Sequence, residues 1–188
     1  MAANAEKPPA KALFSARELA TGGLCLALAI VVPMLFHAVG GSEAGRTFLP
    51  MFLPVLAAGL LVRPAVAASV GLLAPFVSSA LTGMPPLVPM AVLMSVELCA
   101  LAAVASVLRQ TLRVNLWLAV VGAMVASRAA FALEVFLIGP LLGYNVSWYQ
   151  AALLSVVPQL PGIILQLSVV PLAVRTVERL RGASAGRW

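Results

Sequence analysis

The chain has 188 residues, 62% of them hydrophobic and only 10% charged, with a mean hydropathy of +1.06. A soluble domain of this size exposes far more polar surface, so the composition excludes one and describes an all-α, polytopic membrane protein. The formal charge of +6 does not point to nucleic acid, because nearly all the basic residues flank apolar runs, where the positive-inside rule places them.

Residues 1–16 are polar and basic and read as a cytoplasmic tail. The apolar run that follows, 18–39, is longer than the roughly 7–15 residues of a signal-peptide core and ends in VGGSEAG, without an A-x-A pattern. It is expected to stay as the first of six membrane spans. Gly23-x-x-x-Ala27 and Cys25-x-x-x-Ala29 give it a smooth stripe of the kind that lets helices approach closely in lipid. His37 at its outer end reads as a packing or interfacial residue, and GGSEAGR, 40–46, as a flexible outer connection.

The second span, 48–62, carries two prolines four residues apart. Pro50 fits the first turn of a helix, where its missing donor costs little. Pro54 would strip the Pro50 carbonyl of its helical partner, which hydrocarbon tolerates only where protein or a polar cavity covers the freed group. Arg63-Pro64 closes this span. The third is expected at 65–83, the fourth at 86–108, the fifth at 115–142 and the sixth at 148–174; residues 17–180 form the membrane domain and 181–188 a second cytoplasmic tail. Pro33, Pro75, Pro89, Pro140, Pro158 and Pro161 carry the proline pattern through the other five spans. So many interrupted helices suggest a cavity. The small residues of AAG, 57–59, and AVAASVG, 65–71, extend the stripe of the first span.

Six crossings put Lys7, Lys11, Arg17, Arg63, Arg109, Arg113, Arg175, Arg179, Arg181 and Arg187 on one side and Arg46 on the other. That asymmetry predicts both termini in the cytoplasm and a plasma-membrane location. The remaining basic residue, Arg128, lies inside the fifth span.

Ionisable groups at mid-bilayer are expensive and few, so each is a candidate. Glu97 is twelve residues from Arg109, and Arg128 thirteen from Asn115. At 1.5 Å per residue both stand roughly 18–20 Å above the cytoplasmic edge, on consecutive antiparallel spans. They are expected either to neutralise each other or to hold a substrate together. Glu134 lies about 9 Å further out on a different face of the fifth span. Gln159 and Gln166 share a face of the sixth span; Gln159 has the height of a ligand contact and Gln166 reads as helix glue. In GYNVSWYQ, 143–150, Trp148 and Tyr149 are either interfacial belt residues or, with Asn145, the cap of a bound heteroaromatic or amide ligand.

Motifs for chemistry are missing. There is no G-x-x-x-x-G-K-[ST], G-x-S-x-G or H-E-x-x-H, and one histidine with two separated, apolar-flanked cysteines makes neither an ordinary zinc site nor a disulfide pair. No enzyme and no cofactor is expected. No internal repeat marks an inverted-repeat carrier.

The segments FLPMFLPVLAAG, VGLLAPFVSSALTGMPPLVPM, SVELCAL and PGIILQLSVVPL resemble the substrate-binding S component of energy-coupling factor (ECF) transporters, over residues 20–174. The run from Phe48 through Pro86 is the most specific part. The resemblance implies six helices with both termini inside and a vitamin site in the outer half, built from the later helices. It also implies partnership with a transmembrane coupling subunit and two ATPases, docked through small residues of the first helix, here Gly23 and Ala27. Glu97, Arg128, Glu134, Asn145, Trp148 and Gln159 are then the candidate substrate contacts. One departure stands out: Phe52 occupies the place of a histidine in a FLPMH-type pattern. Arg128 leans toward a carboxylate-bearing ligand such as pantothenate or a folate if Glu97 leaves some of its charge free. The second reading is an autonomous secondary carrier for a small organic solute; the third is a structural membrane protein with neither ligand nor cavity.

Overall fold

The computed structural model describes residues 14–138, 140 and 156–185, and these are helical throughout apart from short connections. Among the described residues the α-helices are α1 (Ala16–Phe48), α2 (Phe52–Leu61), α3 (Pro64–Thr82), α4 (Val92–Ser106), α5 (Leu116–Ile138) and α6 (Leu160–Ala185). Wide π-type turns, Leu87–Ala91 and Val107–Thr111, extend α4 at both ends, and a 3-10 turn, Val157–Gln159, leads into α6. Five of these units are long and apolar enough to cross a bilayer: Ala16–Gly41, Pro64–Thr82, Leu87–Thr111, Leu116–Ile138 and Val157–Gly182.

α2 is different. Ten residues make a helix of about 15 Å, half the thickness of a hydrocarbon core. Seven of the ten are buried, and the other three, Leu53, Ala57 and Leu61, are half-buried along one face. A helix apolar all round belongs inside other helices, and α2 packs on α1, α3, α4, α5 and α6. The second span expected over 48–62 is therefore a central half-helix. Its prolines find a simple explanation. Pro54 is the third residue of α2, where the first four N–H groups have no intrahelical acceptor, so its missing donor breaks nothing. Pro50 lies before the helix. Pro158 and Pro161 likewise sit at the entry to α6, and Pro89 in the π-type turn before α4. Only Pro33, Pro75 and Pro171 interrupt helix interiors among the described residues. The inference from many broken helices to a cavity is thereby corrected: most of the prolines mark helix starts.

The connection expected to be flexible at 40–46 is also corrected. A second helical stretch occupies most of it, set off from the first by a kink at Gly41, whose φ of 65° is open to glycine at little cost. Beyond the bend the Phe48 ring meets Phe36 at 5.7 Å, and His37 packs over Gly45. Leu35, Phe36, Val39, Gly40, Ala44 and Phe48 line an open apolar groove of about 390 Å³ at this bend.

Small residues knit the centre. A Cβ on Gly59 of α2 would stand 2.7 Å from Ala105 Cβ and 2.8 Å from Ala102 O; one on Gly71 of α3 would run into the Leu98 carbonyl and stand 2.8 Å from Cys99 N. α2 and α3 thus lie directly on the backbone of α4. The stripe at 57–59 and, from 65–71, Val66, Ala67, Val70 and Gly71 are consumed inside the protein, while Ala65 and Ser69 stay exposed. On α1, Gly22, Cys25 and Ala29 face inward, with Val66 against Gly22, while Gly23 and Ala27 are exposed and a Cβ on Gly23 would meet nothing within 4 Å.

The arginines gather at one end. Ser15 and Glu18 form a capping box at the start of α1, and Glu18 pairs with Arg63 at 2.9 Å. Arg109 pairs with Glu178 at 2.7 Å, Arg181 donates to Thr21 Oγ1 at 2.9 Å, and Ser106 Oγ donates to the Val62 carbonyl at 2.6 Å. Gln110 donates to the Leu60 carbonyl, and Arg175 lies over the Trp117 ring. These contacts fix the starts of α1, α3 and α5 and the ends of α2, α4 and α6 at the same end of the bundle. The helices therefore alternate in direction, the half-helix included.

Candidate functional site

Away from that end, α4, the entry to α6 and the start of α2 bring three side chains together around Arg128 of α5. The Arg128 Nη1 atom lies 3.1 Å from Glu97 Oε1. The guanidinium also donates to Gln159 Oε1 and stands 5.1 Å from the centre of the Phe52 ring. The local sequence explains how each arrives there. Asn115 caps α5, its Oδ1 accepting from Trp117 N at 3.0 Å, and thereby sets the height of Arg128 about 18 Å, twelve residues, above the start of that helix. Arg109, held by Glu178, fixes α4 so that Glu97 reaches the same level. The 3-10 turn at Val157–Gln159 presents Gln159 at the top of α6. Phe52 opens α2, so that helix begins at the level of Arg128 and directs the positive end of its dipole there.

Burial makes these contacts matter. Glu97 is 3% exposed and the Arg128 side chain 14%. Charges removed from water are held only by partners. Arg128 has an ion partner, an amide acceptor and an aromatic face. Glu97 Oε1 meets Arg128 as a charge but accepts no hydrogen bond. Glu97 and Arg128 thus meet as an ion pair, as their equal depth on neighbouring spans led one to expect.

Glu134 is 8% exposed, and neither of its carboxylate oxygens has a hydrogen-bond partner. Gln166 is 1% exposed, and neither its Oε1 nor its Nε2 is bonded, so helix glue through the amide is corrected: Gln166 ties no helix by hydrogen bonding. Most buried polar groups in proteins have partners, so two buried side chains with four unbonded polar atoms call for an explanation.

The structure thus brings together Glu97, Arg128 and Gln159 and buries Glu134 six residues further along α5. Asn145 and Trp148 lie outside the described residues. Gly23 and Ala27 occupy the exposed face of α1, away from this cluster. Sequence reasoning missed Phe52 as part of the site. It stood out only as a departure from a family pattern, and the signal that places it is its position at the first residue of α2, at the depth of Arg128. Among the described residues no group of three or more histidine, cysteine or acidic side chains could hold a metal. Comparison of the chain with protein-family models, with curated proteins and with solved structures finds no match.

Proposed function

We propose that the chain is a solute-capturing membrane subunit of the S-component kind, serving an ATPase-driven ECF importer. In this reading it crosses the plasma membrane six times, counting α2 with its flanking turns as one crossing, and keeps both termini and the arginine-rich end in the cytoplasm. A vitamin or related micronutrient enters from the opposite side and meets Arg128, Gln159 and Glu134, with Glu97 holding Arg128 in place. A transmembrane coupling subunit docks on the exposed Gly23 and Ala27 face of α1, and two ATPases supply the energy that the chain's own residues cannot.

The observation that carries the reading is the cluster of Arg128, Glu97, Gln159 and Phe52, with Glu97 and Phe52 buried and Arg128 and Gln159 half-buried, about 18 Å from the arginine-rich end and so in the outer half of a 30 Å hydrocarbon core. Ionisable side chains at that depth are costly and are retained where they line a solute path. The alternation of helix direction and the single arginine-rich end support the orientation. A half-helix starting at mid-depth supports a binding role, since helix ends inside a membrane are stable only where protein or polar groups receive them.

The test is uptake. The chain purified from membranes should release a small molecule, detected by mass spectrometry, and cells should accumulate that molecule only when the ATPase module is co-expressed. Full uptake by the chain alone, unaffected by loss of the ATPases, identifies an autonomous carrier instead. Absence of any ligand leaves a structural membrane protein.

A further inference from the structure

Glu97, Arg128 and Glu134 are the acidic and basic side chains in the interior of α4 and α5, and their formal charges sum to minus one. α6 adds none until Arg175 at the arginine-rich end. The segment 141–155 contains no Asp, Glu, Lys, Arg or His, so nothing in it changes this sum. His37, Glu43 and Arg46 belong to the outer end of α1. Arg128 is already engaged by Glu97, Gln159 and Phe52. Glu134, six residues and about 9 Å further from the arginine-rich end, is more than nine-tenths buried with both carboxylate oxygens unbonded.

We propose, resting on the solute-capture reading above, that Glu134 is the recognition carboxylate for a protonated nitrogen or an amidine-like pair of N–H donors. The solute class is then a basic or amino-substituted ring compound, not an organic acid. Three arguments converge. A carboxylate is an acceptor with no donor of its own, so only a donor satisfies its two oxygens. A planar N–C–N donor pair matches a carboxylate with two parallel, charge-assisted hydrogen bonds. A monocation brings the buried charge sum to zero, whereas a carboxylate-bearing solute brings it to minus two, and the interiors of α4, α5 and α6 away from the arginine-rich end offer it no arginine or lysine besides Arg128, which Glu97 already engages. The lean toward a carboxylate-bearing ligand required an Arg128 charge left over by Glu97, and the 3.1 Å ion pair removes that requirement's basis.

The experiment uses the full chain in lipid nanodiscs, wild type, Glu134→Gln and Glu134→Asp. Small molecules are extracted and identified, and the emptied proteins are titrated with benzamidinium and benzoate, probes of one shape and opposite charge, with thermal stabilisation as the readout. The expected results are a co-purified base or amino-heterocycle and a wild-type preference for benzamidinium. The preference falls about 10-fold or more in Glu134→Gln and survives in Glu134→Asp. Should Glu134→Gln fail to fold as a monodisperse protein, the wild-type preference and the Asp variant decide. A co-purified organic acid, an equal or larger response to benzoate, or an unchanged preference in Glu134→Gln overturns the assignment while leaving solute capture intact. A wild-type chain that yields no small molecule and responds to neither probe overturns both.

Discussion

Arg128 and Glu97 meet at 3.1 Å across the interface of α5 and α4, each about twelve residues from the arginine-rich end of the bundle. The pair is buried, so its two members are unequal to their sum. Removing one partner strands the other's charge at a cost of about 3–5 kcal/mol, while replacing both by neutral side chains of similar size is close to neutral. Glu97→Gln and Arg128→Gln should each lower the unfolding midpoint in detergent or nanodiscs, and the double variant should recover most of the loss. Additive losses would mean that the two charges are held independently.

Arg128→Ala separates binding from packing. If the solute touches Arg128, as the solute-capture reading has it, affinity should fall at least about 10-fold, the scale of one lost charge-assisted hydrogen bond, with normal insertion into the membrane; a basic solute held at Glu134 alone should keep its affinity. Unchanged affinity would reduce Arg128 to a helix-packing residue. Equilibrium binding and a membrane-fraction assay together decide it.

Gly71 and Gly23 make a contrasting pair. A methyl group on Gly71 collides with the backbone of α4 at Leu98, which cannot rotate away, whereas one on Gly23 meets open space. Gly71→Ala should destabilise by roughly 1–3 kcal/mol or prevent folding, the range of core overpacking. Gly23→Ala should leave stability within about 0.5 kcal/mol, as exposed substitutions do. Gly23→Leu should then leave the isolated chain intact but weaken co-purification with the coupling subunit. Retained assembly would remove that face of α1 from the docking surface.

The Arg128–Glu97 pair was legible because depth is arithmetic: counting from Arg109 and Asn115 puts both residues at one level on neighbouring antiparallel helices. The five long helices were legible for a related reason, since apolar length is a direct read of the bilayer. Faces were not. Gly22 and Gly23 are adjacent, both small and both flanked by apolar residues, yet one packs on Val66 and the other is exposed. In lipid, interior and exterior are equally apolar, so periodicity carries no sign. The truncation of α2 was hidden as well. Its start is set by Leu49 in the left-handed region at φ 49°, a place where no glycine announces the break. With that start misplaced, Pro54 read as a mid-helix defect and the nearness of Phe52 to Arg128 went unseen.

Phe52 offers a test of the aromatic contact. Its ring is 1% exposed and stands 5.1 Å from the Arg128 guanidinium. Phe52→Leu keeps the site apolar but removes the cation–π attraction, worth about 0.5–2 kcal/mol, and leaves a partial cavity. Stability should drop by roughly 1–3 kcal/mol. In the Arg128→Gln background the same substitution should cost measurably less, because only the packing loss remains. An equal cost in both backgrounds would show that the ring and the guanidinium do not interact.

Orientation can be decided from two loops. Arg113 lies in the turn between α4 and α5 at the arginine-rich end, and Gly41 at the bend near the opposite end of α1. If the six-crossing reading holds, a cysteine at 113 should react only with a membrane-permeant maleimide in intact cells, and one at 41 should also react with an impermeant reagent. Cys25 is buried and Cys99 half-buried within helices, so replacing both by alanine should give a quiet background at small cost in packing. Labelling of both positions from outside would mean that α2 does not return the chain across the membrane. The arginine-rich end would then have to be explained by helix packing alone. That outcome conflicts with the contacts of Glu18 with Arg63 and of Arg181 with Thr21, which tie the starts of α1 and α3 and the end of α6 to one surface.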